Sequence, residues 1–324
     1  MPAAWRCRGR GSRFRAPTQG FHHGLGAFLA LRQRVNIYKD TEETMNIQIT
    51  ADSTCDLGES IAKRGIGIAP LCVILGGTTY RDGVDITPQD IFAYVEKTGE
   101  LPKTSTPSIA DYEDFFRPYV EAGKTVIHYN ISVKASSAHH YAVEAAKAFP
   151  GKVFVVDSMG LSTGQGLVVM KACDLRDAGK SAEEIVEVTK AVAPKVNTSF
   201  VPDRLDYLYK GGRCSRMTMY GANLLKIHPM IEMKEGQLVA DKKLRGSIEK
   251  CIASYIDDLA RMYPNYDKTR CFITHSYADE SVIDVARQKV KELFTFDEVL
   301  ETVAGSVITG HCGRNTLGVL FITE

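Results

Sequence analysis

The chain has 324 residues, 44% of them apolar and 24% charged, the balance of a folded globular protein rather than a disordered one. No uninterrupted apolar run reaches the roughly 18 residues that a membrane-spanning helix needs. The net charge of +1 offers no electrostatic footprint for nucleic acid. At about 150 residues per domain, this length favours two domains.

The charge is unevenly spread. Residues 1–44 hold eight Arg or Lys (Arg6 to Lys39) against Asp40, Glu42 and Glu43. Three readings compete for this basic head: an Arg-rich transit peptide, an arm for nucleic acid or a lipid surface, or a segment upstream of a true start at Met45. The last is preferred, because Met45 directly precedes a strand-like run and Glu42-Glu43-Thr44 suits a purine-rich ribosome-binding site. The head is left out of fold reasoning. The eight cysteines form no C-x-x-C pair, so they read as reduced core or loop residues of a cytoplasmic protein, with no metal site.

From Met45 onward, strands and helices alternate. The pattern predicts strands at 46–50, 68–75, 124–130 and 152–156, with helices at 57–64, after Thr87, from Ser108 to about Glu121, and at 135–148. Thr87-Pro88-Gln89-Asp90 and Ser108-Ile109-Ala110-Asp111 both read as capped helix starts. This alternation argues for a doubly wound, mostly parallel α/β layer. After Asp157 the pattern changes. Helices at 162–178 and 181–193 follow almost directly on one another, then strands near 197–201, 226–233 and 237–243. The last two turn at Glu235-Gly236, so that pair is antiparallel. A helix at 245–262, strand 270–275, helix 279–293 and strands at 298–303 and 317–323 complete a mixed second half. The expected division is an N-terminal α/β domain at 45–160 and a C-terminal mixed α/β domain at 161–324, with the crevice between them as the default site.

Ligands of doubly wound sheets sit beyond the carboxyl ends of strands, and several loops there are rich in hydroxyls. They are Asp52-Ser53-Thr54, then Lys103 to Ser108, then Ser132 and Lys134-Ala135-Ser136-Ser137. Each one alone reads as helix capping. Their succession points towards a small anion site. Residues 310–318 read as a loop carrying His311, which can donate to a carboxylate, act as a base or satisfy a core carbonyl. Lys210-Gly211-Gly212-Arg213 reads as a turn presenting Arg213, either to grip carboxylate or phosphate or simply as a solvated charge. No G-x-G-x-x-G, P-loop, G-x-S-x-G or H-E-x-x-H occurs.

The ordered set of segments resembles the DegV family. The matching stretches are Ile49 to Leu57, Pro70-Leu71, Tyr80-Arg81-Asp82-Gly83, Thr104 to Ser108, Val156-Asp157-Ser158, Leu208 to Arg213, Lys226-Ile227-His228-Pro229 and His311-Cys312-Gly313. They cover essentially all of 46–324, and the family pattern begins at the strand before the Asp-Ser loop. The resemblance implies a lipid-binding, two-domain α/β protein. Such a protein holds one long-chain fatty acid between its domains as a subunit of the bacterial fatty acid kinase, with no cofactor and no catalytic residue of its own. Mapped by motif, Thr104, Ser136 and His311 are the implied carboxyl ligands. Arg213 is associated with the phosphorylated head group and the kinase partner, and Ser53, Ser137 and Gly313 lie in neighbouring loops. The sequence departs from the pattern at Lys134, Ser137, Ala138 and His139, and at Asn315, which replaces a glycine but tolerates positive φ better than most residues.

Two further classes remain as alternatives. A Ser/His-dependent lipid hydrolase would use Ser136 or Ser53 with His311. A DNA-binding regulator would need a basic face, which the mildly acidic body of the chain disfavours. For a fatty acid carrier the expected partners are the lipid, a separate ATP-binding kinase subunit and, transiently, a membrane surface.

Overall fold

The computed structural model describes residues 46–214 and 227–324; the expectations for the basic head and its start at Met45 lie outside these described residues. The first sheet is parallel, in the order β2 (Gly67–Ala69), β1 (Ile47–Asp52), β6 (Thr125–Asn130), β7 (Val153–Asp157). Every residue of β1 is buried, as a parallel strand covered on both faces requires. Successive residues of β6 serve opposite faces. Val126 packs with Tyr112, Phe116 and Ala142, which come from α3 (Ile109–Glu121) and α4 (Ala138–Ala146). Ile127 packs with Leu167 and Val169 of α5 (Thr163–Asp177) and Ile185 of α6 (Ala182–Val192).

Local chemistry sets the helix starts. Thr87 caps α2 (Pro88–Thr98) and Ser108 caps α3, and in each the Asp at the third position returns the bond to the cap backbone. Helix α1 covers only Ser60–Arg64, and a 3-10 turn at Ser53–Cys55 precedes it.

The strand expected at 68–75 is two strands in two sheets. β2 belongs to the parallel sheet, whereas β3 (Cys72–Leu75) pairs antiparallel with β4 (Thr78–Arg81) and β5 (Lys103–Ser105). Pro70 separates them, and a residue with fixed φ and no N–H ends a ladder.

The second half builds two more sheets. One is mixed, in the order β13 (Glu298–Val303), β12 (Tyr266–Ser276), β14 (Thr316–Thr323), β8 (Val196–Asn197). The other is antiparallel, in the order β11 (Gln237–Arg245), β10 (Ile227–Lys234), β9 (Ser199–Phe200). The hairpin of β10 and β11 turns on Glu235 and Gly236, both at positive φ, as a two-residue turn between twisted strands requires. Helices α8 (Ile248–Met262) and α9 (Glu280–Leu293) pack against each other and on these sheets.

Helix α5 joins the two halves of the core. Thr163 to Met170 are buried all round, and its residues share one apolar cluster with Ile47 and Ile49 of the parallel sheet and Phe272 and Leu320 of the mixed sheet. The short α7 (Asp206–Gly211) and α10 (Ser306–Cys312) lie side by side and complete the surroundings of the site. The expected loop at 310–318 is therefore helical up to Cys312, and it turns only at 313–315 before β14.

Candidate functional site

Two carboxylates fix α10. Asp56 Oδ1 accepts from the Gly305 N–H (2.8 Å) and Asp82 Oδ1 accepts from the Ser306 N–H (2.8 Å). Both carboxyl groups therefore sit at the N-terminus of the helix, where they accept from backbone N–H groups that have no partner within the helix. Their other oxygens accept from Ser162 Oγ (2.6 Å) and Ser53 Oγ (2.8 Å). Burial pushes Asp56 up to about 8 and also raises Asp82. Sequence reading contained these residues only inside the strings A-D-S-T-C-D and Y-R-D-G and did not single them out.

Helix α10 presents Val307, Ile308, His311 and Cys312 to a cavity of about 120 Å³. The opposite walls come from β5 and the residue after it (Thr104, Ser105, Thr106), from the loop between β6 and α4 (Ile131, Ala135, Ser136, Ser137), and from Leu71, Leu161, Leu208, Arg213 and Leu238. Thr104, Ser136, Ser137, His311 and Arg213, read separately from distant segments, thus line one space. Its Ser136–Ser137 wall stands beyond the carboxyl end of β6, where a parallel sheet places ligands.

In the cavity wall Thr104 Oγ1 lies 3.0 Å from His311 Nε2. The other ring nitrogen, Nδ1, is buried and has no hydrogen-bond partner among the described residues. Burial pushes His311 down to about 4, and the Arg213 charge adds to the effect, so the imidazole is neutral at physiological pH. Ser136 Oγ accepts from the Ala138 N–H (3.2 Å) at the start of α4, which leaves its hydroxyl hydrogen to donate. Arg213 follows the left-handed Gly212 that ends α7, and its guanidinium donates to the Gly211 carbonyl (2.7 Å). It is the one fully charged side chain among the described residues of the lining.

These polar groups of the lining can hold an anion with neutral hydroxyl donors, and Arg213 adds one positive charge. The remainder of the lining is aliphatic. Burial pushes the Cys312 thiol up to about 12, so it serves as an apolar wall rather than a nucleophile. Leu161, Ile308 and Cys312 also border a second, smaller cavity of about 30 Å³ reaching Phe200, Ala304 and Leu320. Its hydroxyls are bonded within the protein: Ser199 to Tyr255, Thr274 to Thr163 and Thr302, and Ser276 to Thr309.

Ser53 and Gly313 are not on the lining. Ser53 Oγ bridges Asp82 and the Leu71 N–H (3.1 Å), which ties the first loop to the cavity wall at Leu71. Gly313 ends α10 at φ +76, and a Cβ there would meet the Tyr207 ring at 2.8 Å. Asn315 takes φ +62 and accepts from the Asp279 N–H (2.7 Å). No cluster of three metal-ligating side chains occurs among the described residues.

Comparison with known proteins fits this arrangement. A DegV domain-containing protein of Clostridium acetobutylicum is 33% identical over 280 residues, spanning 86% of this chain and 99% of the relative. Among solved structures, a fatty-acid-binding DegV family protein from Thermus thermophilus superposes with a TM-score of 0.80 at 29% identity, covering 86% of this chain and 100% of that one. A stearic-acid-binding protein from Eubacterium ventriosum superposes with a TM-score of 0.76 at 26% identity, over 86% and 98% of the two chains. The DegV family model matches residues 46–324, every strand and helix described above falls within that span, and the chain belongs to the DegV family.

Proposed function

We propose that this protein binds one long-chain fatty acid, with the carboxylate at Thr104, Ser136 and His311 and the acyl chain running past Leu161, Ile308 and Cys312 towards the second cavity. The observation that carries this reading is a single cavity lined both by hydroxyls, a neutral imidazole and Arg213 and by aliphatic side chains. The two solved relatives described above as binding fatty acids support it.

The energetics suit a carrier. Burying a chain of about sixteen carbons gains on the order of 12 kcal/mol gross, against roughly 4–15 kcal/mol lost on association. At the lower association cost the surplus of about 8 kcal/mol corresponds to reversible, roughly micromolar binding. An unpaired carboxylate could not enter such a site, which gives the hydroxyls their role.

The finer reading is that the protein presents the bound carboxylate to a separate ATP-dependent kinase and carries the acyl phosphate away. Arg213 then faces the transferred phosphoryl group. The chain has no P-loop of its own, so catalysis belongs to the partner. An ATP-using partner places the encounter in the cytoplasm, and lipid is collected by transient contact with a membrane surface. The division at 45–160 and 161–324 gives the cavity one wall from each part. A Ser/His hydrolase is less well supported, because among the described residues no carboxylate orients His311, and burial makes it a weak base.

Mass spectrometry of the protein purified from cells tests the proposal. It should carry long-chain fatty acid near one equivalent. Lipid-free protein with no affinity for palmitate, stearate or oleate refutes it.

A further inference from the structure

We propose that Gly211 is a positioning residue for the head-group site: its bare α-carbon holds His311 in the tautomer that donates through Nε2, leaving the Thr104 hydroxyl to donate to an ionised carboxylate. The inference deepens the fatty acid reading and rests on it.

Two adjacent glycines in Lys210-Gly211-Gly212-Arg213 have different reasons to be glycine. Gly212 is at φ +68 with open space around its missing Cβ, so the backbone turn requires it. Gly211 is the last residue of α7 and has no positive φ. What excludes a side chain there is His311. A Cβ on Gly211 would lie 2.6 Å from His311 Nδ1, 3.5 Å from Cε1 and 3.8 Å from Cγ. The α-hydrogen occupying that direction therefore points at Nδ1.

That contact decides where the ring hydrogen sits. Among the described residues, the buried Nδ1 has no hydrogen-bond partner. A buried N–H aimed at a C–H would set two hydrogens of like partial charge against each other, whereas a lone pair tolerates a C–H. The neutral ring therefore carries its hydrogen on Nε2 and donates it to Thr104 Oγ1 at 3.0 Å. The Thr104 hydroxyl, its acceptor side occupied, has its own hydrogen left to give. An ionised carboxylate accepts only and makes the stronger, charge-assisted bond, while an ester or alcohol makes a weaker one. The glycine thereby favours free acids over acyl esters.

The test uses the full-length chain labelled with [15N]histidine. Long-range proton–nitrogen spectra of the lipid-free protein should show His311 as the Nε2–H tautomer at neutral pH. Gly211→Ala should shift that signal and weaken palmitate binding by roughly tenfold, about the worth of one charge-assisted hydrogen bond. In a His311→Ala background, Gly211→Ala should add no further loss, because the ring it would displace is gone. Should Gly211→Ala fail to fold, the Gly211→Ala/His311→Ala double variant must fold; a double variant that stays unfolded overturns the inference. So does a wild-type ring in the Nδ1–H form, full additivity of the two substitutions, or a Gly211→Ala protein with unchanged ring signal and palmitate affinity. The ring spectrum is recorded without lipid. A wild type that binds no palmitate therefore refutes the fatty acid reading separately from the Gly211–His311 contact.

Discussion

Replacing Thr104 with Val swaps a hydroxyl for a methyl at nearly constant volume, so the packing of β5 against β3 is kept. The loss falls on hydrogen bonds. Among the described residues His311 Nδ1 already lacks a partner, and Thr104 Oγ1 is the bonded neighbour of Nε2 at 3.0 Å. Without it both ring nitrogens are unsatisfied, which costs roughly 1–3 kcal/mol of stability in the ligand-free protein. The bound carboxylate also loses one charge-assisted donor, worth about 1.5–3 kcal/mol, or roughly ten- to 150-fold in affinity. Calorimetric titration with palmitate reads the second quantity, and urea unfolding of lipid-free protein reads the first. A Thr104→Val protein that binds palmitate as the wild type does, and unfolds at the same urea concentration, would refute the reasoning, because no other described hydroxyl bonds His311.

Four other outcomes follow from the same geometry. Ile308 lines both cavities, so Ile308→Phe should fill space between them and weaken palmitate more than decanoate, by roughly 0.8 kcal/mol for each methylene kept out, and an equal effect on both would place the tail elsewhere. Arg213→Ala should retain fatty acid but impair acyl phosphate formation by the kinase and ATP, and normal turnover would remove Arg213 from that role. Asp56 has a native pKa of about 8 against about 3.9 in the unfolded chain. Between about pH 4 and pH 8 the native state thus holds a proton that the unfolded state lacks, so stability falls as pH rises across that range and levels off above about 8. Asp56→Asn should lessen the fall in urea midpoint between about pH 6 and pH 9, leaving the part due to Asp82; an unchanged fall contradicts the burial of this carboxyl. Gly313→Ala, at φ +76 and against the Tyr207 ring, should cost about 1–3 kcal/mol in thermal unfolding.

The parts of the fold that were legible in the sequence are those dictated locally. Thr87 and Ser108 with their acids three residues on mark helix starts because the capping box is a short-range structure. Glu235-Gly236 marks a hairpin because its turn needs two residues at positive φ. The elements that were not legible depend on distant partners. β5 is three residues, Lys103-Thr104-Ser105, with no apolar alternation, and it is a strand because β3 pairs with it at Val73 and Thr104. Helix α10 is buried almost all round and carries Gly310. It shows no amphipathic period, and its start is fixed by Asp56 and Asp82 more than 200 residues away in sequence. The same split governs the site. Thr104, Ser136, Arg213 and His311 were legible as residues able to bind an anion, through their types and the family pattern. Their shared cavity, the orphaned Nδ1 and the bare contact with Gly211 belong to the tertiary structure alone.

The central claim concerns where the acid end of the lipid rests, and a crystal structure of the palmitate complex measures that directly. It should show one carboxylate oxygen within hydrogen-bonding distance of Thr104 Oγ1, the other reached by Ser136 Oγ, and the alkyl chain passing Leu161, Ile308 and Cys312. Palmitate bound with its carboxylate away from Thr104 and Ser136, or a cavity that admits no lipid at saturating palmitate, would contradict the account.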